Sequence, residues 1–180
     1  MTIIFLNGCT SAGKSSLAQQ LQSKLDTPYL LTGIDDAFRM VPKRYHNSQT
    51  GFRFTKDNNG LVQLSLGDFG RATLYAHQLA ASAIARSGTN MILDEVVLNE
   101  QLRLDWYNLL SGIDVFFIGV HCDLEELEKR ERERGDRVIG QARGQYAYVH
   151  QEMLYDYEVD TTHTSSDDAA SLIMAQRAEW

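Results

Sequence analysis

The sequence predicts an α/β fold in which a five-stranded, mostly parallel sheet is flanked by helices. Short apolar runs alternate with longer segments of helical periodicity along the 180 residues. The first run, Ile3–Leu6, is apolar without alternation, which is typical of a strand buried on both faces. Only two prolines occur, so no proline-rich linker divides the chain. We therefore expect a single domain over residues 1–180.

Five apolar runs are candidate strands: Ile3–Leu6, Tyr29–Thr32, Met91–Leu93, Val115–His121 and a run around Val159. Helical patterns lie between and after them: Lys14–Leu25, Phe69–Arg86, Glu100–Leu110, Leu124–Arg134 and Asp168–Ala178. This β-α-β-α order predicts parallel strands joined by helical crossovers. Ligands of such sheets bind beyond the carboxyl ends of the strands, so the residues that follow each strand are the candidates for function.

Residues 43–66 interrupt the alternation. Phe52 and Phe54 alternate with polar residues, and Asn59-Gly60 is a hairpin turn signal before the apolar segment Leu61–Leu64. We expect a small hairpin inserted above the sheet.

The composition excludes several classes of protein. Hydrophobic residues make up 43% and charged residues 23%, as in ordinary globular proteins. A net charge of -7 argues against nucleic acid or an anionic membrane as the partner. No apolar run approaches the roughly 20 residues of a membrane span, and Cys9 and Cys122 form no disulfide framework. We expect a cytoplasmic protein with no nucleic-acid or membrane partner; a homo-oligomer is left open.

The first strand is followed by a phosphate-binding motif, G-x-x-x-x-G-K-[ST]. Its residues are Gly8, Cys9, Thr10, Ser11, Ala12, Gly13, Lys14 and Ser15. Inward-pointing loop amides and the start of the next helix hold phosphate groups in such a loop. Lys14 is expected on the β- and γ-phosphates and the Ser15 hydroxyl on Mg²⁺, so the sequence predicts ATP and Mg²⁺ as ligands.

Acidic residues follow two other strands. Asp94, after the third strand, either holds Mg²⁺ or caps the next segment. Asp35 follows the second strand together with Asp36. A carboxylate there either accepts the proton of an alcohol that attacks the γ-phosphate or caps a helix, and the sequence leaves both open.

The charged segment from Leu124 to Arg137 has two interpretations. One is a solvated helix with ion pairs such as Glu126–Arg130 and Glu128–Arg132. The other is a lid over residues 130–150, with Arg134 and Arg137 on the transferring phosphoryl group and Arg130 and Arg132 structural.

The residues after the last strand are candidates for the nucleotide site. Thr162 and His163 lie there, either beside the nucleotide base or on a surface loop. The other histidines, at positions 46, 77, 121 and 150, show no ligand spacing and are interpreted as structural or solvated.

With these motifs the chain resembles the chloramphenicol phosphotransferases, relatives of the shikimate and adenylate kinases, nearly end to end. The segments that carry the resemblance are 6–15, 33–35, 92–96, 134–138, 146–150 and 155–163. The resemblance implies a P-loop kinase fold and ATP-dependent transfer of the γ-phosphate to a primary hydroxyl of chloramphenicol, which inactivates the antibiotic. It implies Asp35 as the base, Lys14 and Ser15 on nucleotide and Mg²⁺, and lid arginines near Arg134 and Arg137.

The acceptor side departs from this family. Residues 41–66 match it loosely, and Glu95 stands where a member of the family has a second Asp. A small-molecule hydroxyl acceptor needs a pocket, and Phe38, Met40, Phe52 and Phe54 either form its walls or fill the core. Two alternatives therefore stay open, a toxin-like kinase of a nucleotide sugar and a nucleotide-dependent switch.

Overall fold

The computed structural model describes residues 1–135 and 138–177. The strands are β1 (Ile3–Asn7), β2 (Leu30–Gly33), β3 (Phe52–Lys56), β4 (Val62–Leu66), β5 (Met91–Glu95), β6 (Val115–His121) and β7 (Tyr157–Asp160). The α-helices are α1 (Lys14–Lys24), α2 (Ile34–Arg39), α3 (Asp68–Arg86), α4 (Glu100–Leu109), α5 (Leu124–Arg134), α6 (Gln141–Tyr146) and α7 (Ser166–Arg177).

Five strands form one parallel sheet in the order β2-β5-β1-β6-β7. Strands β3 and β4 form a separate antiparallel hairpin, with a turn in which Gly60 has a φ of +82°. The predicted α/β fold, its five parallel strands and the inserted hairpin are confirmed. Two helices were not predicted: α2 and α6 have 6 residues each, too short to show a helical period in the sequence.

The helices cover both faces of the sheet. Helices α1 and α7 pack together on one face, with Leu17 and Ile173 in the larger core cluster. Helices α3 and α4 pack on the other, where Trp106 meets Phe5 of β1 edge-on, with ring centroids 5.3 Å apart. Every residue of β1 is buried, as its unbroken apolar run predicts.

Strand register brings the carboxyl ends of three strands to one edge of the sheet. Leu6 of β1 lies opposite Asp94 of β5, and Gly33 of β2 lies opposite the same Asp94. The loops that leave β1, β2 and β5 are therefore neighbours, and the candidate residues they carry face one another.

In residues 1–135 and 138–177, no helix is long and apolar enough to cross a membrane.

Candidate active site

The phosphate loop joins β1 to α1 in a conformation that needs its two glycines. Gly13 precedes α1 with a φ of +83°, a left-handed conformation that side chains with a Cβ rarely adopt. A Cβ at Gly8 would lie 2.3 Å from the Val120 carbonyl oxygen, so only glycine fits there. Lys14 is buried, and its Nζ donates a hydrogen bond of 2.9 Å to the Cys9 carbonyl oxygen. Burial raises the pKa of the Cys9 thiol to about 11, so the thiol is protonated at neutral pH.

The loop also carries a polar group that lacks a partner. Within the described ranges, the buried Ser11 hydroxyl makes no hydrogen bond, and Ser11 lines the cleft above the loop. Buried polar groups are normally paired, and a ligand oxygen in the cleft would give this hydroxyl a partner if the side chain turned toward it. The nucleotide phosphates that the motif predicts would supply such an oxygen.

Ser15 and Asp94 form an oxygen pair beside the loop. The Ser15 hydroxyl donates a 2.6 Å hydrogen bond to Asp94 Oδ2, and Asp94 Oδ1 lies 3.9 Å from Lys14 Nζ. Asp94 does not cap α4, because Asn99 is the residue that caps it. Hydroxyl and carboxylate oxygens are ligands that Mg²⁺ prefers, and protein sites complete its shell with phosphate and water. In the described part of the chain no group of three or more His, Cys, Asp or Glu residues is placed to hold a metal ion.

The structure assigns different surroundings to Asp35 and Asp36. Asp36 Oδ2 accepts hydrogen bonds of 3.0 Å from the Gly33 amide and from the Thr32 hydroxyl, and Oδ1 pairs with Arg39 at 2.6 Å. Asp36 is thus the third residue of α2, and its carboxylate closes a capping box on Gly33, the N-cap of the helix. Asp35 is half-buried and lines the same cleft as the phosphate loop. The capping contacts therefore belong to Asp36, and the role of Asp35 as the base stays a prediction.

Glu95 lies behind Asp94 and does not share its surroundings. Its side chain is buried, and Oε1 has no hydrogen-bond partner among the described residues. Burial first, and then the charge of Asp94, hold the pKa of Glu95 well above its usual range. The nearby His77 has its pKa lowered, chiefly by burial. A carboxyl group that favours the protonated form is a poor metal ligand, so Asp94 is the better candidate for Mg²⁺.

An open cleft of about 390 Å³ lies between the phosphate loop, α2, the hairpin and α6. Phe38, Phe52 and Phe54 line it, and the rings of Phe38 and Phe52 meet edge-on with centroids 4.5 Å apart. Phe52 also reaches the core, since it is 1% exposed. The expectation for Met40 is wrong: it follows the last turn of α2, is 73% exposed and does not line the cleft.

The end of α5 reaches the same cleft. Arg134, the last residue of α5, lines it together with Asp35, whereas Arg137 lies outside the described residues. Arg130 binds Glu126 at 3.0 Å and the Thr161 carbonyl oxygen at 2.7 Å, contacts that fit the structural role expected for it.

One ion pair expected in α5 differs from the prediction. Glu128 contacts Arg143 of α6 instead of Arg132, because α6 packs against α5. Thr162 accepts a 2.9 Å hydrogen bond from the Asp123 amide, and His163 is exposed. Neither lines the cleft, so their place beside the nucleotide base stays a prediction.

Several residues that line the cleft were missed by sequence reasoning. They are Arg39, His46, Gln141 and Gln145. Arg39 and His46 lie shortly before the predicted hairpin. A search for polar residues in the segment that leads into it could have found them. The two glutamines lie on α6, which the sequence pattern does not indicate.

The sheet order, the phosphate loop and the cleft beside it define a P-loop kinase. Solved kinase structures superpose on nearly the whole chain. The Mycobacterium tuberculosis APS kinase CysC, in complex with AMPPNP and APS, gives a TM-score of 0.71 at 15% identity and covers 98% of this chain and 97% of its own. Shikimate kinase from Acinetobacter baumannii, in complex with shikimate, gives a TM-score of 0.61 at 12% identity over 98% and 93%. At these identities the likeness shows the fold.

The sequence places the chain within one family of this class. The family described as "Chloramphenicol phosphotransferase-like protein" matches residues 1–178, and the chain belongs to it. "Putative O-phosphotransferase Rv2636" of Mycobacterium tuberculosis is 31% identical over 181 residues, covering 93% of this chain and 78% of that protein. The expected family is confirmed, and the chain is a phosphotransferase that acts on a hydroxyl group.

Proposed function

We propose that the chain transfers the γ-phosphate of Mg²⁺-bound ATP to a hydroxyl of chloramphenicol or a closely similar aromatic alcohol, and thereby inactivates an antibiotic. One observation carries this proposal. A single cleft joins the phosphate loop, the Asp35 carboxylate, the Arg134 guanidinium and a wall of phenylalanine rings. Donor groups and acceptor groups thus face the same space.

The donor side is built from the phosphate loop. Lys14 Nζ, now on the Cys9 carbonyl, is placed to exchange that bond for phosphate oxygens when nucleotide enters. The Ser15 hydroxyl and Asp94 would hold Mg²⁺, which offsets the negative charge of the phosphates when it is bound.

The acceptor side supplies the base. Asp35 accepts the proton of the acceptor hydroxyl as the hydroxyl oxygen forms the new bond to the γ-phosphorus. The bond from that phosphorus to the oxygen bridging the β- and γ-phosphates breaks, and ADP leaves with the electron pair. Arg134 neutralises the charge that spreads over the transferring group.

The shape of the acceptor wall supports an aromatic substrate. Phe38, Phe52 and Phe54 offer edges and faces against which a planar ring packs. Arg39 also lines the cleft and offers donors for the polar groups of such a substrate. His46 Nε2 already donates to the Phe38 and Val41 carbonyl oxygens, so His46 offers Nδ1 as an acceptor. Family membership points to the same class of acceptor.

The test is an acceptor screen with γ-labelled ATP and Mg²⁺ that includes chloramphenicol, other small alcohols and nucleotide sugars. We expect labelled chloramphenicol or a related aromatic alcohol. Label on a nucleotide sugar alone would contradict the proposed acceptor and favour the toxin-like kinase.

A pair of neighbouring variants tests the role of Asp35. Asp35→Asn should lower turnover by about 10²–10⁴-fold with AMPPNP binding kept. Asp36→Asn is the matched control, because asparagine still accepts the Gly33 amide; it should lower turnover by less than about tenfold. Equal losses in the two variants would remove Asp35 as the base.

A further inference from the structure

Helix α6 contacts the phosphate loop through one buried side chain. Gln145 is 3% exposed, and its Oε1 accepts a hydrogen bond of 2.7 Å from the Thr10 amide. The bond joins residues 135 positions apart in the chain. It fixes the orientation of one peptide unit in the phosphate loop, three residues before the Gly13 turn.

The other side of α6 carries the hairpin of β3 and β4. The Val62 amide donates a 3.1 Å hydrogen bond to the Gly140 carbonyl oxygen, directly before α6. A Cβ at Gly144 would lie 2.0 Å from the Val62 carbonyl oxygen, so the backbones of α6 and β4 are in direct contact there. In the same way, a Cβ at Gly140 would lie 2.3 Å from the Gly60 carbonyl oxygen. No flexible side chain separates helix and hairpin at these points.

The start of α6 is also tied to α5. Glu131 is 1% exposed, and its two carboxylate oxygens accept the Gly140 amide at 2.7 Å and the Ala142 amide at 2.8 Å. Arg134 lies one turn further along α5. Helix α6 therefore touches the phosphate loop, the acceptor hairpin and the helix that carries Arg134.

We propose that α6 couples the two substrate sites and that Gln145 is the positioning residue of this coupling. A nucleotide that orders the phosphate loop restricts the Thr10 amide, and the Gln145 bond passes that restriction to α6. Because the backbone of α6 lies directly on β4, the restriction of α6 also orders the hairpin that lines the acceptor side of the cleft. That the phosphate loop binds the phosphate donor and the hairpin binds the acceptor rests on the proposed function. The contacts of α6 with the loop and with the hairpin are independent of that function.

The test is amide hydrogen exchange of the full chain with and without MgAMPPNP. In the wild type we expect exchange at Val62 and along β3–β4 to slow by at least about fivefold on binding, the lower end of ordinary coupling between two sites. In Gln145→Met, which has a similar size but no amide oxygen, the slowing should fall below about twofold at a saturating concentration of MgAMPPNP.

Two further variants separate coupling from general damage. Gln151→Met is the matched control, since Gln151 is exposed and its side-chain amide donates to the nearby Ala147 carbonyl oxygen, away from Thr10; it should keep the full response. Gly144→Ala pushes α6 and β4 apart at Val62 and should lose the response while the Thr10–Gln145 bond persists.

The outcomes distinguish the two levels of the argument. A wild type that does not bind MgAMPPNP would overturn the proposed function and this inference together. A wild type that binds it without slower exchange in the hairpin would overturn the coupling alone. A full hairpin response in Gln145→Met would remove Gln145 as the positioning residue.

Discussion

Replacing Gly33 by alanine should disable the active site more than it destabilises the fold. Gly33 ends β2 opposite Asp94, and its φ of -168° is extended backbone that any residue adopts. The obstacle is the neighbouring strand. A Cβ at Gly33 would lie 2.1 Å from the Asp94 carbonyl oxygen, whereas ordinary contacts begin at 3.4 Å. The two strands must therefore separate by about 1.3 Å, the difference between these distances.

That displacement falls on both halves of the candidate site. Asp94 holds the Ser15 hydroxyl at 2.6 Å, and Asp35 is two residues after Gly33. A misplacement of about 1 Å costs roughly 10²-fold in rate. Overpacking a well-packed site costs about 1–3 kcal/mol in the free energy of unfolding. We expect a folded variant with about 10²-fold lower turnover.

Three measurements check this expectation: turnover with the acceptor found in the screen, the ratio of AMPPNP dissociation constants with and without Mg²⁺, and urea unfolding. Gly88→Ala is the control, because its φ of +95° strains alanine while nothing lies within 4 Å of the new Cβ. It should lose about 1 kcal/mol of stability and keep its turnover. If Gly33→Ala kept the turnover and the Mg²⁺ response of the wild type, the reasoning would be refuted.

Three other expectations concern single side chains. Asp94→Asn should raise the Mg²⁺ concentration for half-maximal turnover about 10–100-fold; an unchanged Mg²⁺ titration would contradict the metal role. Arg134→Ala should lower kcat by about 10²–10³-fold while the AMPPNP dissociation constant stays within about threefold, and a loss confined to binding would point elsewhere. Burial lowers the pKa of His150 to about 4 from 6.5. As the pH falls, His150 is therefore protonated in the unfolded chain before it is protonated in the folded chain. The contribution of neutral His150 to the free energy of unfolding is fully present above pH 6.5 and is lost as the pH falls toward 4. Urea unfolding at pH 7 and 5 should show about 1 kcal/mol less loss of the free energy of unfolding in His150→Asn than in the wild type, allowing for partial solvent screening, and parallel losses would contradict the assignment.

The sequence predicted the parts of the fold that have a period or a spacing. The phosphate loop from Gly8 to Ser15 is a contiguous motif between a strand and a helix, and β1 is an unbroken apolar run. Both are local signals. Asp35 and Asp36 could not be separated, because they follow the same strand and differ only in which one reaches the Gly33 amide. Gln145 left no signal at all, since its bond to Thr10 depends on how α6 docks, and a 6-residue helix has too few residues to show a face.

The acidic composition of the chain has a local counterpart at the edge of the sheet. Asp35, Asp36, Asp94 and Glu95 lie close enough that the other three carboxylates all raise the pKa of Glu95. Such a cluster is unfavourable beside a polyanionic nucleotide unless its charges are disposed of separately. The fold does this by environment: Asp36 is neutralised by Arg39 and by backbone donors, and burial favours the protonated form of Glu95. The other two carboxylates of the cluster line the cleft. They are Asp94, beside the Ser15 hydroxyl, and Asp35, on the acceptor side, which are the two places where the proposed reaction needs negative charge for a cation and for a proton.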